Sequence, residues 1–220
     1  MFSAASLLEF MPLLLRGALV TLEVTLYSTV LALILAFLAG FLQLSKFRGL
    51  RVLSTVYVEL FRGTSLLVQL FWLYFALPVL FDIRMPAMVA AVAAIGLNYG
   101  AYGSVVVRSS ILAVPKGQYE AATALNMSPS IRMRKVILPQ ALPLMLPAFG
   151  NLQIELLKGT SLVYLITLME LTYQGMILRS YDSSKTLEIF ALLLLLYFVL
   201  AYALTWIVRL LERRAARGRA

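Results

Sequence analysis

Glu120–Pro139, EAATALNMSPSIRMRKVILP, is a polar, basic island between long apolar segments. Good helix formers run from Gln118 to Leu125 behind Val114–Pro115, and proline suits a first helical turn. Asn126 follows, and asparagine is the best substitute for glycine in the left-handed geometry that ends a helix. Ser128–Pro129 is a cap with proline at the first helical position, so a second helix begins there. Leu138–Pro139 reads as its stop. These signals give two short helices joined by a tight turn.

The flanking composition says what the island interrupts. The chain has 220 residues, 62% of them hydrophobic, and a mean hydropathy of +0.91. A soluble domain of this size has no way to cover so much apolar surface. Apolar runs long enough to cross a roughly 30 Å hydrocarbon core recur. Five spans are expected, at 17–44, 53–80, 87–112, 141–168 and 187–210, in a single transmembrane domain covering 1–220. The island then falls in the 113–140 connection. The stretch 3–15 is too short to span, Met1–Glu9 lacks the basic start of a secretory signal, and this N-terminal stretch is expected to lie in the interface before the first span.

Basic residues set the orientation. Lys46, Arg48 and Arg51 collect on one side with Arg108, Lys116, Arg132, Arg134, Lys135 and the C-terminal arginines from Arg209 on. The other side has Arg16, Arg84, Arg179 and Lys185, nearly neutralised by Glu9, Asp82, Glu170, Asp182 and Glu188. The basic side is expected to be cytoplasmic, with the N-terminus outside and the C-terminus inside. The net charge of +9 follows from this topology. It does not point to nucleic acid, because the charges are split among membrane-flanking loops.

The island resembles the cytoplasmic coupling loop of ABC importer permeases, which reads E-A-A, three residues, G, nine residues, I, one residue, L-P. Glu120, Ala121 and Ala122 open the match, Val136 stands for the isoleucine, and Leu138 and Pro139 close it. Asn126 stands where the family has glycine, and Gly117 lies just ahead. A loop merely resting on anionic headgroups through Arg132, Arg134 and Lys135 leaves that spacing without a reason. Glu59-Leu-Phe-Arg-Gly-Thr64 with Leu66–Gln69, Leu97-Asn98 with Gly100-Ala-Tyr102, and Asn151, Lys158, Thr160-Ser-Leu162 and Glu170-Leu171 are similar to segments of the polar amino-acid permeases, the histidine, glutamine, arginine and opine group. Ser65 replaces that group's usual proline. Val105 and Leu152 stand where it often has glutamate, which weakens the case for a strongly cationic substrate.

The resemblance implies an all-α polytopic membrane protein with a MetI-like fold. It implies a non-catalytic subunit in a bacterial cytoplasmic (inner) membrane, importing a polar amino acid or compatible solute. It implies four kinds of partner: two ATP-binding subunits, a second permease subunit that is identical or homologous, an extracytoplasmic binding protein, and the substrate. The chain itself would bind no cofactor, with ATP and magnesium held by the ATPase. Gly117, Glu120, Ala121, Ala122, Asn126, Leu138 and Pro139 would couple to that ATPase.

Polar residues inside the spans point to a pathway, because ionisable groups in lipid are costly and face partners or a wet cavity. Glu59 and Arg62 are one turn apart and suit a direct pair, with Thr64 just beyond. Gln69 falls ten residues after Glu59, near the same face. Glu155 and Lys158 repeat the three-residue spacing, Thr160 and Ser161 follow, and Asn98 adds a neutral amide in the third span. The competing reading is that these groups only lock helices together. Gly63 and Gly159 are expected to loosen the helices locally. There is no phosphate loop for binding ATP, and no His or Cys to build a thiol or zinc site. A membrane anchor that docks an ATPase without conducting substrate is the alternative, and it has no use for Asn98, Glu155 and Lys158 in lipid.

Overall fold

The computed structural model describes residues 4–217, and every regular element among them is helical. The first helix, α1 (Ala4–Gln43), is the longest and packs along α5 (Ala87–Leu112). Between them run α2 (Arg48–Gly63), α3 (Leu66–Phe71) and α4 (Leu77–Phe81), the last two joined by a π turn at Trp72–Ala76. After α5 come α6 (Lys116–Ala124), α7 (Pro129–Arg132), a π turn at Met133–Ile137, and α8 (Leu138–Gly159). A 3-10 segment, Thr160–Ile166, leads to α9 (Leu171–Tyr181) and then α10 (Thr186–Arg217).

Three helices, Phe10–Gln43, Ala87–Leu112 and Ser183–Arg214, are long and apolar enough to cross a membrane. Two bent pairs complete up to five spans. Arg48–Gly63 meets Leu66–Phe81 at 104°, and Pro129–Ile166 meets Leu171–Tyr181 at 49°. The expected straight span over 53–80 is therefore broken at Thr64–Ser65. Gly63 and Gly159 sit where α2 and α8 end.

Small residues let α1 and α5 approach closely, as transmembrane interfaces require where lipid supplies no hydrophobic drive. Ala32, Ala36, Ala39 and Gly40 of α1 face Gly96, Gly100, Gly103 and Ser104 of α5. A Cβ on Gly103 would stand 2.7 Å from the Ala36 Cβ and 3.0 Å from the Phe149 ring. The central core adds Val24, Leu70, Ile95, Leu156 and Val163 from α1, α3, α5, α8 and the 3-10 segment.

Two sequence expectations are corrected. The segment before Gly17 is no separate interfacial piece, for α1 runs unbroken through Pro12. Phe10 and Leu14 are buried against Leu171, Ile189 and Leu192, so their apolar surface is taken up by α9 and α10. The second correction concerns Leu138–Pro139, which does not stop a helix. The Leu138 N–H donates to the Met133 carbonyl, five residues back, and the helix continues as α8. A wider turn moves the Lys135 carbonyl away from the ring of Pro139, which would collide with it in an ordinary α turn. The same solution precedes Pro78, where the Leu77 N–H reaches the Trp72 carbonyl.

Gly103→Val should lower stability by about 1–3 kcal/mol through overpacking. Gly49, where an added Cβ meets nothing within 4 Å, should accept alanine with little change. Thermal unfolding of the two variants in detergent micelles measures the contrast.

Candidate functional site

The segment expected to couple forms a clamped pair of short helices, α6 and α7. The turn after α6 is a Schellman motif: the Met127 N–H bonds the Ala122 carbonyl at 3.1 Å and the Asn126 N–H bonds the Thr123 carbonyl at 2.9 Å. Asn126 has φ 52°, the left-handed geometry read from the sequence. Ser128 Oγ accepts from the Ile131 N–H at 3.5 Å and caps α7. Arg132 donates to Thr123 Oγ1 at 2.7 Å and lies 5.9 Å from the centre of the Tyr119 ring. Gln140 donates to Gln118 Oε1 at 3.0 Å, so α8 also holds α6. Burial pushes the Tyr119 phenol up from its ordinary pKa, and the nearby Arg132 charge pulls the other way. Tyr119 therefore stays neutral and donates to the Ile111 carbonyl at 3.0 Å, tying the pair to α5.

This clamp divides the motif by exposure. Ala122 is buried, whereas Gly117, Glu120 and Ala121 face outward. Leu125 is 71% exposed at the tip. It is an exposed apolar residue in a polar island, and pattern reading did not single it out.

The residues expected to form a pathway fall into two groups. Asn98, Gln69 and Thr64 come together at the break between α2 and α3. Asn98 Nδ2 donates to the Phe61 carbonyl and to Gln69 Oε1, both at 3.0 Å. Gln69 Nε2 donates to the Phe61 carbonyl at 2.9 Å and to Thr64 Oγ1 at 2.7 Å. These amides satisfy carbonyl capacity that α2 releases when it ends. Thr160 and Ser161 likewise bond within their own helix, to the carbonyls of Leu157 and Lys158.

The charged residues make the second group. Glu59, Arg62, Glu155 and Lys158 all lie on exposed faces of the chain. The expected Glu59–Arg62 ion pair is absent among the described residues. Arg62 instead lies 5.2 Å from the centre of the Tyr102 ring, a cation–π contact that draws it away from Glu59. Tyr99 and Tyr102 stand 6.4 Å apart, and the Tyr99 hydroxyl donates to the Glu155 carbonyl at 2.9 Å. The two tyrosines thus run from the Arg62 guanidinium of α2 to the Glu155 backbone of α8, with Tyr102 exposed and Tyr99 half-buried. Tyr102 belonged to a quoted motif, and only the tertiary fold shows what it bridges.

Glu170 is the other correction. The sequence reading counted it with the charges of the outer side, and it is fully buried. Its carboxylate accepts from the Thr172 and Tyr173 N–H groups, each at 2.9 Å, and from the Tyr197 hydroxyl at 2.7 Å. Thr21 adds a longer contact at 3.4 Å. The carboxylate caps α9 and ties it to α1 and α10.

Residues 28–217 match the family described as the binding-protein-dependent transport system inner membrane component. The chain belongs to this family. Among its relatives, the permease is 48% identical over 209 residues to the probable amino-acid ABC transporter permease protein y4tF of Sinorhizobium fredii, covering 93% of this chain and 87% of the other. It is 37% identical over 214 residues to the glutamine transport system permease protein GlnP of Escherichia coli, covering 97% of each. It is 36% identical over 209 residues to the L-cystine transport system permease protein TcyB of Bacillus subtilis, covering 95% of this chain and 89% of the other. A solved structure of an amino acid ABC transporter with histidines aligns with TM-score 0.89 and 33% identity, over 97% of the permease and 99% of that chain. The inward-facing MetNI methionine ABC transporter shares the fold, with TM-score 0.78 at 22% identity over 97% and 99% of the two chains.

Asn126→Gly should keep the clamped turn. Asn126→Val should strain it by about 1–2 kcal/mol and lower substrate-stimulated ATP hydrolysis in the assembled transporter. Equal hydrolysis by both variants would contradict a coupling role for this turn.

Proposed function

We propose that the permease is one transmembrane half of an ATP-driven importer that moves a polar amino acid or related zwitterion inward by alternating access. The observation that carries this reading is the clamped pair α6–α7. It exposes Glu120, Ala121 and Leu125 on one side and continues without a loop into α8. Such a unit is a handle, not a tether, because a partner gripping it moves a membrane helix directly. Glu120 sits exposed in a basic loop and is suited to a basic group on an ATP-binding subunit.

The assembly this implies has two ATP-binding subunits, a second permease half, identical or homologous, and a binding protein on the outer side. ATP and magnesium belong to the ATP-binding subunits. The distribution of basic residues supports an orientation with the short helices α6 and α7 in the cytoplasm and the N-terminus outside. The strip from Glu59 and Arg62 through Tyr102 and Tyr99 to Glu155 and Lys158 is the chain's contribution to the path. Asn98, Gln69 and Thr64 hold the α2–α3 bend beside it, with Thr160 and Ser161 stabilising the end of α8. An anchor that only docks an ATPase has no need of such a strip. Relatives named for amino-acid, glutamine and L-cystine transport support an amino-acid substrate.

Reconstitution with the ATPase and binding protein in proteoliposomes should give ATP-dependent uptake of at least one amino acid from a panel including radiolabelled glutamine and cystine. Glu120→Lys should insert normally and lose most of that uptake. Glu155→Leu with Lys158→Leu should insert and bind the ATPase, yet not import. Absence of uptake for the whole panel would refute the substrate class, and normal uptake by the double variant would return that pair to a scaffold role.

A further inference from the structure

Helix α2 carries more charge on its exposed side than the pathway strip uses. Arg48, Arg51, Thr55, Glu59 and Arg62 are all exposed, at spacings of three, four, four and three residues. At about 100° per residue they fall within about 80° of one another. The side of α2 next to the row is committed to the fold, while the side opposite it carries the exposed apolar Leu50 and Leu53. Ser54 Oγ donates to the Ala39 carbonyl at 2.8 Å, the Tyr57 hydroxyl donates to the Leu97 carbonyl at 2.7 Å, and Val58 is buried. The polar row is therefore a single ladder, and Arg62 at its top joins the Tyr102–Tyr99 strip.

The exposed face of α10 differs in kind. α10 presents Leu194, Leu195, Phe198, Val199 and Trp206, a surface suited to lipid. A row holding Glu59 and Arg62 within a membrane-spanning segment is costly in lipid and calls for water or a polar ligand. At its lower end Arg48, Arg51 and Thr55, with Val52 and Val56, line an open groove of about 520 Å³. Neither guanidinium has a hydrogen-bond or ion-pair partner among the described residues. Their position also works against the helix, since cations in a first turn oppose the macrodipole and α2 has no acid there to offset them. Membrane orientation explains a positive charge in this region. It does not explain why the two arginines continue the register of Thr55, Glu59 and Arg62.

We propose that the α2 ladder is the wet wall of the cytoplasmic half of the conduit, and that Arg48, Arg51 and Thr55 form an exit site for the carboxylate of a passing solute. A guanidinium presents paired N–H donors that match a carboxylate, and Thr55 adds a hydroxyl donor one turn further up. The valines beside them suit the apolar part of such a solute. Glu59 and Arg62 above the site offer one charge of each sign to a zwitterion. This inference rests on the importer reading above and extends it to residues outside the recognised motifs.

The chain has no cysteine, so single cysteines can be read against a clean background. The permease assembled with its ATPase in nanodiscs is the sample, and the probes are two water-soluble methanethiosulfonates, one carrying a sulfonate and one a quaternary ammonium. Thr55→Cys should react with both, and with the sulfonate about ten-fold faster, because a basic groove concentrates anions. Arg48→Gln with Arg51→Gln should abolish that preference, while Arg48→Lys with Arg51→Lys should retain it. Val199→Cys on α10 should stay unreactive. If Thr55→Cys fails to assemble, Val52→Cys reads the same groove. A thiol in the groove that reacts with neither probe is covered by lipid or protein, which overturns the proposal. Equal rates with the two probes, or a preference that survives the glutamine pair, overturns the carboxylate site. Failure of the amino-acid reading would appear separately, as absent uptake by the unsubstituted chain.

Discussion

Phe61 and Thr64 carry carbonyl oxygens that α2 leaves short of helical partners when it ends at Gly63. In a span, bulk water is not at hand to bond them, and each unsatisfied group costs several kcal/mol. Asn98 and Gln69 supply the missing donors, and Gln69 in turn accepts from Asn98. Those two amides satisfy the carbonyl that the 104° bend exposes. The bend then turns Leu66–Phe81 away from α2 and leaves the α2 ladder uncovered. The second bend follows the same rule with a different donor set. There Glu170 collects the first free N–H groups of α9 and the Tyr197 hydroxyl, so a buried carboxyl group closes the break.

Local signals made the coupling segment readable. Asn126 and Ser128–Pro129 act on their immediate neighbours, and each took the geometry its chemistry favours. Leu138–Pro139 misled because the π turn depends on which carbonyl, four or five residues back, accepts the bond, and residue types do not show that. Helix α9 was missed for a related reason. It is 11 residues long and begins at a glutamate whose burial depends on Thr21, 149 positions away, and on Tyr197. Hydropathy placed the apolar segments, but it has no term for a kink held by distant side chains.

The polar residues of the spans show a similar division. Their presence was legible, because charged and amide groups stand out in apolar sequence. Their separate duties were not. Asn98 and Gln69 are turned toward a broken helix, whereas Glu155 and Lys158 are turned outward, and both pairs look alike in one dimension. Tyr99 and Tyr102 show the reverse case. Aromatic residues are common in such chains, and only the contacts with the Glu155 carbonyl and the Arg62 guanidinium single them out.

The junction at Leu138–Pro139 is a splice between two axial members, with no slack in it. Helical backbone runs from Pro129 to the end of the 3-10 segment at Ile166. Glu155 lies 17 residues beyond Leu138, about 26 Å along the axis. Under the proposed coupling, a twist of the short helices would arrive over that length as rotation and a push as translation, through a helix that carries Pro143 and Pro147 inside it. A flexible linker would transmit neither. One turn of unusual pitch makes the loop and the helix a single crankshaft, and the charges on α8 ride on its far end.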